Sequence, residues 1–436
     1  MNTSVRRATW TNWAGSVCCM PSDIIRPSTP DEAVELVRRA ASRGQTLRAV
    51  GSGHSFTPLA ETDQVLVSLD GIQGLIGIDA GARRASVRAG TKLAALGIAL
   101  EEGGWAMENM GDIDAQTIAG AVSTGTHGTG IRFGTLSDQV EGVTLVTAEG
   151  EIITCSPDTK PDWLQGARLS LGALGLIIGV DLRVRPRYLL RMESRRMGLE
   201  EVLASLDHYK REHRHFEFFW FPYTDSVQAK FLDETKVPSK GRRWWGSFSR
   251  TVLENGVYWC LSESARYQPR LCAAVSRISA RGIPTVKEIG MSRRVFVTPR
   301  KVRFCEMEYS IPADALPDVL REMKVRIEEE RHSVHFPVEC RFVRGEDIWL
   351  SPAYGRDSAY VAVHMYKGME WRSYFRAMEE IFLRYEGRPH WGKMHSLEAR
   401  DLEKLYPRWQ DFQYLREHLD PRGLFLNPYL KRIFGV

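Results

Sequence analysis

The chain has 436 residues, of which 43% are hydrophobic and 26% charged. A chain of this length can form two or more domains with substantial cores, and this composition is typical of globular proteins rather than disordered or fibrous ones. The formal net charge of +5 comes from 59 basic and 54 acidic residues. It suits an anionic cofactor or substrate, but no basic patch interleaved with aromatic residues stands out, so we expect no nucleic-acid partner.

The seven cysteines are scattered and form no C-x-x-C pair, which argues against structural zinc and is typical of a reducing compartment. The N-terminal residues carry charges but lack the apolar core of a signal peptide. The most apolar run, LSLGALGLIIGV at 169–180, is too short and too rich in glycine to span a bilayer. We therefore expect a cytoplasmic protein with no transmembrane segment and no bound metal.

The first predicted element is a helix in STPDEAVELVRRAASRG, with Thr29 as N-cap, Glu32 as its capping partner and Gly44 at its end. TLRAV and QVLVSLD then predict short strands, and LIGIDAGARRASVRAG predicts a hairpin. A helix is expected over about 91–102. GVTLVTAEGEIITC predicts a second hairpin, and the alternating pattern after SLGALG predicts a strand that closes this region near Pro186.

From about residue 188 the pattern changes, because longer aromatic strands now alternate with charged helices. HFEFFWF, KVRFCEMEYSI, VHFPVECRFV and YVAVHMYKG predict strands, and residues 313–331 predict a helix. Residues 234–256 predict a long surface excursion. This pattern indicates an antiparallel sheet with helices on one face, so the predicted fold class is α+β.

A small glycine loop, GSGHS, follows the strand TLRAV. Gly51 and Gly53 permit positive φ and close backbone approach, and exposed N–H groups in such a loop can cradle a pyrophosphate. The loop is neither a Walker loop nor a G-x-G-x-x-G fingerprint, because position 56 is Phe. Its own chemistry fits a phosphate-binding turn and a tight turn with an exposed histidine about equally well.

A second glycine-rich run, ENMGDIDAQTIAGAVSTGTHGTG, covers residues 108–130. Ordering so flexible a run is costly in chain entropy unless a ligand makes contact with its backbone. The two runs together therefore predict one extended ligand with a phosphate-containing arm.

These two runs, together with SLGALG, WLSPAYGRD and RPHWGK, resemble the vanillyl-alcohol-oxidase type of FAD protein, and within it the aldonolactone oxidoreductases and alditol oxidase. The resemblance implies FAD as cofactor and a two-domain α+β flavoprotein. It implies an FAD-binding domain over 1–187, a substrate-binding cap domain with an antiparallel sheet over 188–396, and a C-terminal segment over 397–436 that returns to the FAD domain.

The resemblance also implies which residues hold the FAD. His54 matches the histidine that is bonded to the flavin 8α-carbon, so covalent FAD is expected, whereas His127 is interpreted as a structural residue that holds its loop. The residues expected to bind the cofactor are Val50, Gly51, Ser52, Gly53, His54, Ser55, Gly111, Asp112, Thr117, Gly120, Ala121, Ser123, Thr124, His127, Gly128, Gly175, Ile177 and Lys393.

Gly111 matches the position beside the reactive edge of the flavin where lactone enzymes carry Gly or Ala. A missing Cβ leaves room for dioxygen, so the resemblance implies an oxygen gate at Gly111 and favours an oxidase; a conformational need for glycine is the alternative. Asp112 and Tyr366 replace smaller hydroxyl residues of alditol oxidases. These two differences favour ring-closed lactones over linear polyols.

Polar side chains alternate with apolar ones in two strands of the second region. In PVECRFV the alternation places Glu339 and Arg341 on one face, and in YVAVHMY it places His364 on the polar side. A solvated sheet surface is the alternative explanation. The resemblance instead implies a substrate pocket: Glu339 accepts hydrogen bonds from substrate hydroxyls, Arg341 binds substrate oxygen or reduced flavin, His364 takes the alcohol proton, and Lys393 stabilises reduced flavin near N1–C2=O.

The implied reaction is oxidation of the C2 hydroxyl of an aldono-1,4-lactone, such as L-gulono-, L-galactono- or D-arabinono-1,4-lactone. Hydride passes to flavin N5, the product is an ascorbate-type enediol lactone, and O2 is the expected acceptor, giving H2O2. Two alternatives are a lactone dehydrogenase with another acceptor and an alditol oxidase acting on the terminal hydroxyl of xylitol or sorbitol. A non-catalytic flavin- or sugar-binding protein is a third, which the retained polar residues disfavour.

Overall fold

The computed structural model describes residues 8–238, 259–298 and 302–436. Its strands are β1 Trp10–Thr11, β2 Cys18–Cys19, β3 Asp23–Ile25, β4 Leu47–Val50, β5 Val65–Ser68, β6 Leu75–Asp79, β7 Arg84–Arg88, β8 Trp105–Ala106, β9 Val140–Val146, β10 Ile152–Cys155, β11 Leu176–Arg183, β12 Arg185–Pro186, β13 Leu189–Gly198, β14 His215–Trp220, β15 Ser226–Thr235, β16 Val286–Met291, β17 Phe304–Pro312, β18 Val338–Val343, β19 Ser358–Tyr366 and β20 Arg388–Pro389.

The helices are α1 Pro30–Ser42, α2 Leu93–Glu102, α3 Ile118–Ser123, α4 Pro161–Ala167, α5 Leu199–Ala204, α6 Leu206–Glu212, α7 Cys272–Arg281, α8 Ser292–Phe296, α9 Leu316–Glu329, α10 Arg372–Arg384, α11 Ala399–Leu405, α12 Trp409–Leu419 and α13 Pro428–Phe434. Residues 259–267 are helical as well. None of the helices in the described part of the chain combines the length and the apolar composition needed to cross a membrane.

Helix α1 begins as its sequence predicts. The Thr29 hydroxyl accepts a hydrogen bond from the Glu32 N–H at 3.2 Å, and the Glu32 carboxylate accepts one from the Ser28 N–H at 2.7 Å. Glu32 therefore caps through Ser28 rather than through Thr29 itself. Gly44 follows the helix with a φ of +62°, the left-handed conformation that glycine adopts without strain.

Besides the two-stranded pairs β1–β2 and β8–β12, two larger sheets precede residue 187 in the described part of the chain. Strands β3, β5 and β4 form a parallel sheet with β5 in the centre, and the GSGHS loop leaves the carboxyl end of β4. The other sheet is antiparallel, in the order β10-β9-β11-β7-β6, and contains both predicted hairpins. Alternating buried side chains along β7 and β11 place this sheet against the core.

The largest sheet has eight antiparallel strands in the order β16-β13-β15-β14-β18-β19-β17-β20. One face is apolar, carries Phe218, Cys340 and Val361, and belongs to the main hydrophobic core with helices α9 and α10. The opposite face carries charged side chains in its central strands. The α+β fold class is therefore confirmed, while the domain boundaries at 187 and 396 stay predictions.

The predicted surface excursion over 234–256 falls mostly outside the described residues. Strand β15 includes residues 234 and 235, the first two positions of this excursion, and residues 239–258 are not described.

A buried arginine ties distant parts of the chain to strand β4. The Arg48 guanidinium donates to the backbone carbonyl oxygens of Leu59, Leu171, Gly172 and Phe425. Burial lowers the pKa of Arg48 to about 10, still high enough to keep the group charged at neutral pH. The residues that follow helix α12 therefore lie against the N-terminal parallel sheet.

Candidate active site

Two adjoining cavities lie where the glycine loops meet the charged face of the large sheet. The smaller cavity, about 120 Å³, is lined by the loop after β4, by α3 and by residues near Gly175. The larger, about 390 Å³, lies between the glycine-rich residues 111–127 and strands β17 and β18. His54, Ser55, Gln116 and Thr124 line both cavities, so one extended ligand can occupy the two together.

The smaller cavity fits the phosphate-containing arm of FAD. A Cβ at Gly51 would lie 2.3 Å from the Thr117 hydroxyl, and one at Gly120 would lie 2.9 Å from it, so both glycines make room for the Thr117 side chain where the two loops approach. Lys92 Nζ donates to the Ser52 hydroxyl at 3.0 Å and lies 3.0 Å from Asp70 Oδ1, so the cation beside the loop belongs to an ion pair. Bare backbone and a nearby cation are what an anionic ligand requires.

His54 lies where the two cavities meet, and its ring stacks on Trp13 with centroids 5.7 Å apart. Burial lowers the pKa of His54, and the positive charges of Lys393 and Lys92 lower it further. The imidazole is therefore neutral at neutral pH and keeps a lone pair on one nitrogen. A neutral ring suits the expected covalent attachment, which stays a prediction.

Gly111 and Asp112 form one wall of the larger cavity. The φ of Gly111 is not in the positive range, so its backbone does not itself require glycine. A Cβ there would lie 3.0 Å from the His127 carbonyl oxygen and 3.5 Å from Thr126 Cγ2. A methyl group at this position would therefore fit only tightly and would narrow the cavity, which is what the prediction of an oxygen gate at Gly111 requires.

Arg341 is held by three carboxylates. Its Nε–H donates to Glu217 at 2.9 Å, Nη2 forms an ion pair with Glu339, and Nη2 lies 3.5 Å from Asp112 Oδ1. Burial alone would lower the pKa of Arg341, but Glu339, Asp112 and Glu217 raise it well above its ordinary value. Arg341 is therefore a permanent, firmly oriented cation in the cavity wall.

Lys393 pairs with two glutamates of strand β17. Its Nζ lies 2.5 Å from Glu306 Oε2 and 4.0 Å from Glu308 Oε2. Burial would lower the pKa of Lys393, but Glu306 and then Glu308 raise it. Burial would raise the pKa of Glu306, but Lys393 and His364 lower it to about 2. Both members of the Lys393–Glu306 pair are therefore charged at neutral pH.

His364 lies behind these carboxylates. The register pairs it with Glu306 across β17 and β19. Its Nδ1 is 3.1 Å from the Pro337 carbonyl oxygen, and its Nε2 is 3.4 Å from Glu306 Oε1 and 4.0 Å from Glu339 Oε2. His364 does not line the cavity, whereas Glu306 and Glu339 do. Contact with a ligand would therefore pass through the carboxylates.

His127, Glu308 and His390 form a buried cluster whose ligand atoms lie within 4.8 Å of one another. His127 Nδ1 is 2.9 Å from the Gly128 carbonyl oxygen, and its Nε2 is 3.2 Å from Glu308. His390 Nδ1 accepts the Gly392 N–H at 3.0 Å, so the ring proton belongs on its Nε2. That proton leaves His390 no lone pair for a metal. The cluster instead connects the His127 loop to strand β17, which suits the structural role expected of His127.

Most of the predicted site residues line the two cavities. Those that do are Val50, Gly51, Ser52, Gly53, His54, Ser55, Gly111, Asp112, Thr117, Gly120, Ser123, Thr124, His127, Gly175, Ile177, Glu339, Arg341 and Lys393. The three that do not are Ala121, Gly128 and His364.

Ala121 and Gly128 are packing positions. Ala121 is fully buried in helix α3. A Cβ at Gly128 would lie 2.2 Å from the Met110 carbonyl oxygen, so glycine is needed there for the close approach of two loops. Tyr366 also lies away from the cavity, because its hydroxyl donates to Glu263. Asp112 and Tyr366 both differ from the residues of alditol oxidases, and of these two Asp112 lines the cavity.

Sequence reasoning missed four acidic or basic groups at the site: Glu217, Glu306, Glu308 and His390. The signal for two of them was present, because FCEMEYS alternates as PVECRFV does and places Glu306 and Glu308 on one face. Glu217 lies within an aromatic strand, HFEFFWF, and only its neighbours in the sheet reveal its function.

Comparison with known proteins agrees with this site. Residues 21–156 match an FAD binding domain, and residues 180–433 match the D-arabinono-1,4-lactone oxidase family. L-gulono-1,4-lactone dehydrogenase from Mycobacterium tuberculosis is 40% identical over 426 residues, which cover 98% of this chain and 99% of that protein. L-gulonolactone oxidase from Mus musculus is 34% identical over 432 residues, covering 97% of each chain.

The fold is similar to that of solved cholesterol oxidases. Cholesterol oxidase from B. sterolicum superposes with a TM-score of 0.84 at 17% sequence identity, covering 98% of this chain and 96% of that one. The likeness supports the expected architecture of an FAD-binding domain joined to an antiparallel-sheet domain. Since one family matches more than half of the chain and two relatives match nearly all of it, the protein belongs to the D-arabinono-1,4-lactone oxidase family of FAD-dependent oxidoreductases.

Proposed function

We propose that this protein oxidises the C2 hydroxyl group of an aldono-1,4-lactone, such as L-gulono-, L-galactono- or D-arabinono-1,4-lactone, to an ascorbate-type enediol lactone. The observation that carries the proposal is the larger cavity. One wall is formed by the glycine loops with His54, and the facing wall by Glu306, Glu339, Arg341 and Lys393. The relatives named for gulono- and arabinono-1,4-lactones support this substrate class.

The cofactor is held by the residues that line the smaller cavity. The backbone of residues 50–55 and 117–124 binds the phosphate-containing arm, and His54 tethers the flavin covalently. Bound FAD supplies the hydride acceptor. With FAD bound, Lys393 would lie near flavin N1–C2=O, where its positive charge would oppose the negative charge of the reduced flavin.

The charged wall binds a neutral, hydroxyl-rich ring. Glu339 accepts hydrogen bonds from substrate hydroxyls, and Arg341 donates to a substrate oxygen. The C2 hydroxyl proton passes to Glu339, and His364 Nε2, 4.0 Å behind Glu339 Oε2, faces the carboxylate that receives it. Four carboxylates that line the cavity, Asp112, Glu306, Glu308 and Glu339, lie around the two cations Arg341 and Lys393. A ring-opened, anionic aldonate is therefore disfavoured.

Dioxygen is the proposed acceptor, with H2O2 as product, because Gly111 leaves the cavity wall open. The relatives include both a dehydrogenase and oxidases, so a lactone dehydrogenase with another acceptor is the alternative. We also propose a cytoplasmic location, which the unpaired state of all seven cysteines supports.

An alditol oxidase acting on xylitol or sorbitol is the second candidate. This activity remains a candidate because the Tyr366 hydroxyl donates to Glu263 and Tyr366 does not line the cavity. The bulk of Tyr366 is therefore no longer an argument against a linear polyol. Asp112, which lines the cavity and lies 3.5 Å from Arg341 Nη2, remains the argument for lactones.

The test is to follow flavin absorbance of the purified protein without oxygen while adding L-gulono-1,4-lactone to one sample and xylitol to another, and then to admit air. We expect bleaching by the lactone alone and rapid return of colour in air. Bleaching by xylitol alone would identify an alditol oxidase. Bleaching by the lactone with slow return of colour would identify a dehydrogenase. Glu339→Gln is the control, expected to keep the flavin but slow its bleaching.

A further inference from the structure

The cation assigned to the reduced flavin already has a partner. Lys393 Nζ lies 2.5 Å from Glu306 Oε2, and the two side chains are 21% and 8% exposed. In so sheltered a place the attraction between opposite charges is much stronger than in water. A carboxylate in contact with an ammonium group cancels most of its field at a distance of several ångströms.

Glu306 is fixed in this position from its other side. It lies on β17 opposite His364 of β19, and its second carboxylate oxygen, Oε1, is 3.4 Å from His364 Nε2. Both of its oxygens therefore face groups that favour the ionised carboxylate. Glu306 is part of the cavity wall rather than a surface group.

The neighbouring glutamate is a weaker partner of Lys393. Glu308 Oε2 lies 4.0 Å from Nζ, and Glu308 is bound more closely by His127, at 3.2 Å. Glu308 and Glu306 are therefore a natural pair for comparison, since they share a strand, a face and a chemistry but differ in their distance from Lys393.

We propose that Glu306 sets the reduction potential of the bound flavin by neutralising Lys393, and so holds the potential below the value that a free lysine would give. This inference rests on the proposed placement of Lys393 near flavin N1–C2=O. Glu306 acts through Lys393 and is a positioning residue. Its removal should make the flavin easier to reduce.

The experiment measures the midpoint potential and the affinity for sulfite, which binds more tightly to a flavin with an uncompensated positive charge at its pyrimidine edge. We expect Glu306→Gln to raise the two-electron equilibrium constant about tenfold, or about 30 mV, and to tighten sulfite binding. Glu308→Gln should give a clearly smaller shift. Lys393→Met should lower the potential and weaken sulfite binding.

The double variant Glu306→Gln/Lys393→Met decides whether Glu306 acts through Lys393. We expect its potential to match that of Lys393→Met alone. An unchanged or lower potential in Glu306→Gln would overturn the proposal, and so would an equal rise in the Lys393→Met background. If Glu306→Gln fails to retain flavin, Glu306→Asp takes its place, because a shorter side chain loosens the pair and should shift the potential in the same direction by less.

Neither readout requires a sugar. A wild-type protein that no lactone reduces would defeat the proposed function, yet the sulfite and potential measurements would still decide the role of Glu306.

Discussion

Arg341 and Glu217 lie on neighbouring strands of the large sheet, and the Arg341 Nε–H donates to Glu217 Oε2 at 2.9 Å. The other Glu217 oxygen accepts from Lys230 Nζ at 3.0 Å. Burial would raise the pKa of Glu217, but Lys230 and Arg341 lower it to about 2. A doubly held carboxylate of this kind fixes the plane of the guanidinium, so Glu217 orients Arg341 in the cavity wall.

We expect Glu217→Gln to raise KM for the lactone about tenfold with a smaller effect on kcat, because Arg341 loses a charge-assisted hydrogen bond worth about 1.5–3 kcal/mol. Steady-state kinetics measure this split. The matched control is Glu234→Gln on β15, whose carboxylate pairs with Arg185 outside the cavity. Equal kinetics for Glu217→Gln and wild type would show that Arg341 keeps its orientation without Glu217.

His54→Ala should release the flavin. If His54 carries the covalent bond, the wild-type protein stays yellow after acid precipitation and the variant does not. His213→Ala is the control, because His213 pairs with Asp233 away from both cavities. Colour that remains in the precipitated His54→Ala protein would show that another residue holds the flavin.

Gly111→Ala should slow the return of flavin colour in air and leave anaerobic bleaching by lactone largely intact. The added methyl group would lie 3.0 Å from the His127 carbonyl oxygen and would narrow the cavity beside it. Rapid-mixing absorbance measures the two rates separately. Gly77→Ala is the control, since a Cβ there meets no atom within 4 Å. An oxygen rate equal to wild type would count against the gate.

Glu346 should make the stability depend on pH. The 7% exposed Glu346 accepts hydrogen bonds from the Thr135 N–H at 3.0 Å, the Thr135 hydroxyl at 3.1 Å and the Ser351 hydroxyl. Burial, with a smaller contribution from Asp138, raises its pKa from 4.5 to about 7. Between these values the folded protein holds a proton that the unfolded chain has released, so the free energy of unfolding falls as pH rises.

The glutamine in Glu346→Gln is uncharged at every pH, so the variant should lose the part of the pH dependence of the free energy of unfolding that Glu346 causes. The full shift corresponds to about 3 kcal/mol, so the fall in Tm from pH 4.5 to 7.5 should be smaller in the variant than in the wild type. Thermal unfolding across this range measures it. Glu149→Gln, at an exposed position, should leave the slope unchanged; an unchanged slope in Glu346→Gln would show that Glu346 does not titrate there.

The sequence predicted those parts of the site that depend on residues close together in the chain. GSGHS and the run at 108–130 predicted loops that line the two cavities, because glycine patterns report backbone needs within a few residues. Alternation placed Glu339 and Arg341 on one face because it depends only on a single strand.

The sequence could not predict the order of the strands in the large sheet. The pairs Glu306–Lys393, Glu217–Arg341 and Glu306–His364 depend on which strands are neighbours and in which register. For the same reason His364 was assigned a direct contact, whereas Glu306 and Glu339 lie between it and the cavity.

The hydrogen bonds of Arg48 have a consequence for biosynthesis. Its guanidinium donates to the Phe425 carbonyl, and the neighbouring Leu47 N–H donates to the Leu424 carbonyl at 2.8 Å. Phe425 follows Arg48 by 377 residues in the chain, so strand β4 is synthesised long before the carbonyl groups that it binds. The loop that follows β4 therefore gains this support only after residues 424 and 425 have been synthesised and have packed against the strand.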